Sequence, residues 1–242
     1  MLTPPQAHIW CAQVQQIPTQ IQQLWHLLNP VERKKAADFQ FERHRNAFIT
    51  GRGYLRIILS RYLQLKPQEI EFNYTPKGKP YLAHQFLESN LQFNLSHSHE
   101  LILYALTLDK PIGIDLEYLR PFPEAEKIAQ RFFSPREAAF ISNCPDSLKS
   151  PAFFQGWTSK EAVLKATGEG IGGGLEKIEV ELDPSQEAKL LSLDGDTQAA
   201  QNWFLTKIQT SPEYMATVAI KGKIECKIFD INDLGDYFVE IS

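Results

Sequence analysis

The chain lacks any apolar run approaching the ~18 to 20 residues that a membrane-spanning helix needs. Its start, Met1-Leu2-Thr3-Pro4-Pro5, has neither the basic nor the apolar region of a secretory signal. A cytoplasmic location without a membrane partner is the expectation. Cysteine is scarce: Cys11, Cys144 and Cys226 are odd in number and far apart, which excludes a disulfide framework and a CxxC zinc knuckle and predicts reduced, buried thiols. No G-x-S-x-G elbow is present, and no acid is spaced for a serine-hydrolase triad. The phosphate cradles G-x-x-x-x-G-K-[ST] and G-x-G-x-x-G are absent as well, so a bound nucleotide must be held by Lys, Arg and His side chains. Charge of one sign does not dominate, since the net is −4 over 242 residues, and no nucleic-acid partner is expected.

What charge there is lies unevenly. Between Val31 and Arg61 eight basic residues face three acidic ones, a local +5 that leaves −9 for the rest. This partition suits a polyanionic small ligand, and equally a solvated basic helix face. The 43% hydrophobic content is that of an ordinary globular chain. Alternation over residues 8–16 predicts an opening strand. A helical stretch is predicted from Asn29-Pro30 to about Leu65, with Phe48, Leu55, Ile58, Leu59 and Tyr62 on its apolar face and Arg45, Arg52 and Arg56 turned elsewhere. Further strands are predicted at 70–74, 91–95, 101–107 and 112–117, with turns at Thr75 to Pro80 and at Ser96-His97-Ser98-His99. In the second half Ser134-Pro135 opens a helical stretch, Phe153 to Thr167 forms a second helix, and the glycine-rich Gly168 to Gly174 reads as a mobile loop. Strands follow at 178–182, 203–208 and 215–220. Pro30, Phe48, Gly51 and Leu59 recur as Pro135, Phe153, Gly156 and Leu164 at a constant offset of 105. This faint repeat predicts an α+β protein of two similar α/β lobes, residues 1–110 and 111–242, with a ligand in the groove between them.

Four segments carry chemistry. In Gly113-Ile114-Asp115-Leu116-Glu117 the pleat puts two carboxylates on one strand face. Their mutual repulsion is relieved most simply by a cation, and oxygen-only ligation favours Mg²⁺ or Mn²⁺; a solvated strand end with two acids is the plainer alternative. In Trp157-Thr158-Ser159-Lys160-Glu161-Ala162-Val163-Leu164-Lys165, Glu161 and Lys165 stand one helical turn apart, as a surface pair or as a third carboxylate beside a phosphate-binding cation. Phe93-Asn94-Leu95-Ser96-His97-Ser98 groups hydroxyls and an imidazole, useful to anionic oxygens and equally usable as a plain turn. Lys77-Gly78-Lys79-Pro80 sets lysines on both sides of a glycine that permits close ligand approach.

Taken in order, Lys77-Gly78-Lys79-Pro80, Phe93 to Ser98, Gly113 to Glu117, Arg131-Phe132-Phe133-Ser134 and Trp157 to Lys165 resemble the 4′-phosphopantetheinyl transferase superfamily, and within it the single-chain, pseudodimeric Sfp-type branch. The resemblance implies transfer of the phosphopantetheine arm of coenzyme A to a serine of an apo acyl or peptidyl carrier protein, in the manner of a holo-acyl-carrier-protein synthase, with adenosine 3′,5′-bisphosphate leaving. It implies metal ligation by Asp115, Glu117 and Glu161. It further implies coenzyme A contacts from Lys165, Lys79, Ser96 and His97, with Lys35 and Arg45 nearest to the basic residues that meet the 3′-phosphate in relatives. Glu161, directly or through a metal-bound water, is then the candidate base, and Glu137 an acid near the site. Lys160 is expected on a surface that docks the acidic carrier, and an internal pseudodimer needs no second chain. The rival readings are a non-catalytic nucleotide-binding regulator and a Mg²⁺-dependent pyrophosphatase.

Overall fold

The structure, a computed structural model, describes residues 2–15, 17–170 and 174–234. Strand β1 (Gln6–Gln13) is followed by α1 (Pro18–Leu27), which the sequence reading missed because its run of glutamines gives a weak apolar period. Helix α2 (Pro30–Ala37) starts where Asn29-Pro30 predicts, behind a capping box: the Glu32 amide donates to Asn29 Oδ1 at 2.9 Å and the Asn29 amide to Glu32 Oε2 at 3.0 Å. Helix α3 (Glu42–Leu63) ends on Gln64 in the left-handed region. A hairpin of β2 (Phe72–Tyr74) and β3 (Pro80–Leu82) turns through Gly78 at φ 83°. Strands β4 (Leu91–Ser98), β5 (Leu101–Leu108) and β6 (Ile112–Tyr118) complete the first half and open the second.

Next come α4 (Ala125–Phe132), α5 (Pro135–Asn143) and α6 (Asp146–Thr167), then the hairpin β7 (Ile178–Val180) and β8 (Leu190–Leu193), α7 (Thr197–Gln201), β9 (Trp203–Lys207), β10 (Tyr214–Lys221) and β11 (Glu225–Asp230). Helix α6 begins seven residues before the expected Phe153 and carries Pro151 inside it, so the proline that reads as punctuation is tolerated near the helix start. Of the expected glycine-rich loop, residues 171–173 lie outside the described residues. The three cysteines are free and half-buried.

Besides the two-stranded hairpins, the described residues form a four-stranded sheet, β11-β1-β5-β4, and a three-stranded sheet, β6-β10-β9. In each a 22-residue helix, α3 or α6, packs on one face. The opposite faces meet through Ala7, Ile9, Leu103 and Ala105 on one side and Ile114, Leu116, Val218 and Ile220 on the other. Burial of these apolar side chains joins the halves into a pseudodimer. Strand β11 runs parallel to β1, so the structure places residues 225–234, assigned above to the second lobe, on the sheet and core of the first.

The repeat extends to buried ion pairs. In the first lobe Arg56, fully buried, donates Nε to Glu32 Oε2 at 2.8 Å and Nη1 to the carbonyls of Pro67 and Ile70 at 2.7 and 2.8 Å. In the second, Ser134 and Glu137 form the equivalent capping box, and the fully buried Lys160 donates to Glu137 Oε2 at 2.7 Å and to the carbonyls of Leu175 and Ile178. Arg52 also faces Glu32, at 3.4 Å. This corrects two expectations: Arg56 belongs to the first lobe's core and Arg52 is buried against Glu32 rather than on a solvated helix face, and Lys160 has no surface to offer a carrier protein.

Candidate active site

The site is assembled where β4 of the first lobe lies along β6 of the second. Asn94, Ser96 and Ser98 alternate along β4 and bind β6 in place of a backbone ladder. Asn94 Oδ1 accepts the Ile114 amide at 2.9 Å, Ser96 Oγ donates to Asp115 Oδ1 at 3.0 Å, and Ser98 Oγ accepts the Tyr118 amide at 3.0 Å while donating to Glu117 Oε2 at 3.2 Å. The segment predicted as a turn is therefore strand through Ser98, with the turn at His99-Glu100. Ser96 and His97 consequently point to opposite faces of β4.

Helix α6 comes unusually close to β6 because position 113 is glycine. A Cβ there would fall 2.0 Å from the Ala162 carbonyl oxygen and 2.5 Å from the Ala166 nitrogen. That approach delivers Lys165 to β6, where its Nζ donates to Asp115 Oδ1 at 2.6 Å, Ser96 Oγ at 3.0 Å and the Ile114 carbonyl at 3.2 Å. Lys165 thus takes Asp115 as its ion-pair partner, instead of the Glu161 expected from helical spacing. Lys79 of the β2–β3 hairpin donates to the Lys165 carbonyl, and Lys77 donates to that of Glu169, so the first lobe caps the end of α6.

Burial and mutual repulsion set the electrostatics. Glu161 is pushed up to about 7, first by burial, then by the Asp115 charge, with Lys165 opposing and Glu117 adding to the rise. Glu117 is raised by burial and then by Asp115. Lys79 is lowered to about 8 by burial and by Lys165. Asp115 Oδ2 and Glu161 Oε1 are buried without a hydrogen-bond partner, which costs free energy unless something else completes them. Among the described residues no three His, Cys, Asp or Glu groups form a ready-made metal cage. The unpartnered oxygens, with Glu117 beside them, nevertheless suit a hard divalent cation in donor type and charge.

His97 lies on the other face of β4, at two adjoining cavities of 200 and 280 Å³ that it shares with His44 and Ala47. Phe39, Phe48, Gly51 and Arg52 line the first, Arg43 and His99 the second. Loss of hydration at the ring, then the charges of Lys165 and His44, hold the His97 pKa below its ordinary value, with Asp115 opposing. Lys35 reaches this region over the Phe48 ring at 5.4 Å. Arg45 does not: it pairs with Glu42 at 3.8 Å and lines a separate groove with Pro18, Ile21 and Trp25. Helical periodicity explains the split, because 43, 44, 47, 48 and 51 share one face while 42, 45, 46 and 49 share another. Arg43 and His44 are the basic residues that the sequence reading passed over, and their spacing to Gly51 was the available signal. Glu137 stands away from this cleft, only 3% exposed within its clamp.

The fold and site define a two-lobed protein in which carboxylates and a lysine of the second lobe gather at the lobe junction, against Ser96, Ser98 and Lys79 of the first. Comparison with known proteins gives the family. Residues 12–108 match the family profile described as 4′-phosphopantetheinyl transferase, N-terminal, and residues 111–219 match that of the 4′-phosphopantetheinyl transferase superfamily. The chain is 44% identical over 217 residues to the 4′-phosphopantetheinyl transferase HetI of Nostoc sp., covering 90% of this chain and 88% of the relative. It is 33% identical over 171 residues to the 4′-phosphopantetheinyl transferase psf-1 of Bacillus pumilus, covering 71% of each. A human relative, L-aminoadipate-semialdehyde dehydrogenase-phosphopantetheinyl transferase, is 27% identical over 207 residues, covering 80% of this chain and 67% of the relative. The chain belongs to the 4′-phosphopantetheinyl transferase superfamily.

Proposed function

We propose that this phosphopantetheinyl transferase performs its reaction at the β4–β6–α6 junction, with coenzyme A as donor, an apo acyl carrier protein as one acceptor and peptidyl carrier domains as others. The observation that carries the reading is the pair of buried, unpartnered carboxylate oxygens, Asp115 Oδ2 and Glu161 Oε1, with the Lys165 ammonium bonded to the other oxygen of Asp115. Asp115, Glu117 and Glu161 would hold Mg²⁺, or Mn²⁺ in its place. Such an ion supplies relief of negative charge on diphosphate oxygens.

The chain's own residues do the rest. Lys165 Nζ, fixed by Asp115 and Ser96, presents a cation to the diphosphate. Lys79 adds a second positive group at the same edge, and Ser96 a hydroxyl. His97 and Lys35, with Arg43 and His44, form the basic side of the cavities that would take the 3′-phosphate and ribose. The carrier serine oxygen attacks the phosphorus bearing the pantetheine arm. The bond from that phosphorus to the bridging oxygen breaks, and adenosine 3′,5′-bisphosphate departs. Glu161, beside the reacting centre, accepts the serine proton, directly or through a water.

The test is incubation of the purified protein with coenzyme A, Mg²⁺ and several apo carriers. A gain of one phosphopantetheine group by intact-protein mass spectrometry supports the reading, and comparison among carriers ranks acyl against peptidyl acceptors. Loss of coenzyme A without any carrier present would replace transfer by pyrophosphate hydrolysis.

A further inference from the structure

Lys160 adjoins Glu161 in the chain but takes no part in the cleft. It is fully buried on another side of α6, where its ammonium meets Glu137 Oε2 at 2.7 Å, the Leu175 carbonyl at 2.9 Å, the Ile178 carbonyl, and the face of the Phe133 ring at 4.7 Å. Glu137 is equally committed. Its Oε2 also accepts the Ser134 amide at 2.9 Å, and its Oε1 accepts the Val180 amide at 2.9 Å. One ion pair therefore joins the start of α5, the middle of α6, the turn at Leu175 to Lys177 and strand β7.

The same stretch of α6 is held on two further sides. Thr158 Oγ1 lies 3.1 Å from Thr217 Oγ1 of β10, and the backbone at Ala162 sits in the notch left by Gly113. Successive helical residues diverge by about 100°, so anchors at 158, 160 and 162 fix the rotation of the helix about its own axis. That rotation decides whether Glu161 faces Asp115. We infer that the Lys160–Glu137 pair positions Glu161 for the reaction, and does not only hold the second lobe together.

The first lobe supplies an internal control. Arg56 and Glu32 make the same connections to α2, α3 and the turn after α3, yet no carboxylate of the cleft stands on α3. A clamp with a purely structural role would give the same phenotype in both lobes. The inference rests on the active-site assignment above, and the experiment separates the two.

Glu137→Gln, Lys160→Met and Lys160→Arg are compared with Glu32→Gln and Arg56→Lys. Far-UV circular dichroism checks folding, steady-state carrier loading gives kcat and KM for coenzyme A, and paramagnetic titration with Mn²⁺ in the presence of coenzyme A gives metal affinity. Glu137→Gln and Lys160→Met are expected to lower kcat and Mn²⁺ affinity by about 10- to 100-fold, the range for groups that orient ligating side chains. KM for coenzyme A should stay within about threefold, because the groups that meet the nucleotide are untouched. Lys160→Arg should recover most of both quantities, since arginine performs this connection in the first lobe. The first-lobe variants should melt earlier with kcat and Mn²⁺ affinity unchanged. The inference is overturned if folded Glu137→Gln retains wild-type kcat and Mn²⁺ affinity, or if the first-lobe variants lose both equally. Should Lys160→Met not fold, Glu137→Gln, which keeps an acceptor oxygen, decides alone. A wild-type protein that loads no carrier yet shows the same ordering of Mn²⁺ affinities would sink the transfer assignment and leave the positioning intact.

Discussion

The two lobes share a long helix, a capping-box glutamate and a buried cation that ties both to the turn beyond the helix, yet only one of them carries the cleft's acids. On β6 the positions facing α6 and β4 bear Asp115 and Glu117. On β1, the first strand of the other lobe, His8 and Trp10 instead meet Tyr62 of α3, through contacts of 2.7 and 2.9 Å to its hydroxyl. Near the end of the helix Lys165 pairs with a carboxylate, whereas Arg61 donates to the Leu234 carbonyl and so fastens the chain beyond β11. The same scaffold is thus finished as a neutral, satisfied aromatic cluster in one lobe and as a repelling, incompletely satisfied acidic cluster in the other. Where the first lobe holds the hydrogen-bonded cluster of His8, Trp10 and Tyr62, the second holds Asp115 and Glu161, each with an unpartnered carboxylate oxygen.

The largest expected break in this comparison comes from the carboxylates. Asp115→Ala and Glu161→Ala should each lower carrier loading by on the order of 10²-fold or more with the circular dichroism spectrum unchanged. Near-normal turnover in either would remove the acids' distinction from the first-lobe cluster. A second cut is Gly113→Val, which drives side-chain atoms into the α6 backbone. It should destabilise the fold by about 3 kcal/mol and depress activity in what remains folded, measured by denaturant titration and specific activity. An intact midpoint would mean that α6 does not need its close seat.

Protonation sharpens the contrast further. Folding raises the Glu161 pKa to about 7, so the protonated form is favoured in the folded state. That contribution is fully present below the ordinary carboxylate range and is lost as pH rises through about 7. Metal-free protein should therefore melt at falling temperature from about pH 5 to pH 8, and Mg²⁺ should restore stability at pH 8 far more than at pH 5. A flat metal-free profile would show that the acidic cluster carries no stored repulsion. The smallest effect separates the faces of α3: Arg43→Ala should raise KM for coenzyme A by about 10-fold with kcat little changed, and Arg45→Ala by less than about twofold. Equal effects would merge the two faces that the helix keeps apart.

Much of this was legible before the fold was known. Pro30 and Pro135 marked true helix starts because proline costs least in the first turn. The carboxylates of Asp115 and Glu117 share a face because a strand's period is two. Basic residues were harder to read. Charge predicts an anion site or a solvated face, but Arg52, Arg56 and Lys160 turned inward, each finding a glutamate whose capping-box position alone gave no hint of a second partner. Arg45 lies on the other face of α3 from Arg43 and His44, paired with Glu42, a difference set by one or two residues of helical phase. Strand β11 escaped notice because its alternation is weak and mostly exposed.

The amino-acid order alone set the local elements, the duplicated plan and the two-residue spacing of the acids on β6, since these depend on backbone geometry over a few residues. Which cation meets which acid was decided only by packing. Lys165 reaches Asp115 because Gly113 lets two backbones touch, and Lys160 reaches Glu137 because the turn at Leu175 closes over it. Such partnerships form between segments tens of residues apart, where burial strips away water and leaves each charge only the neighbours that the fold provides.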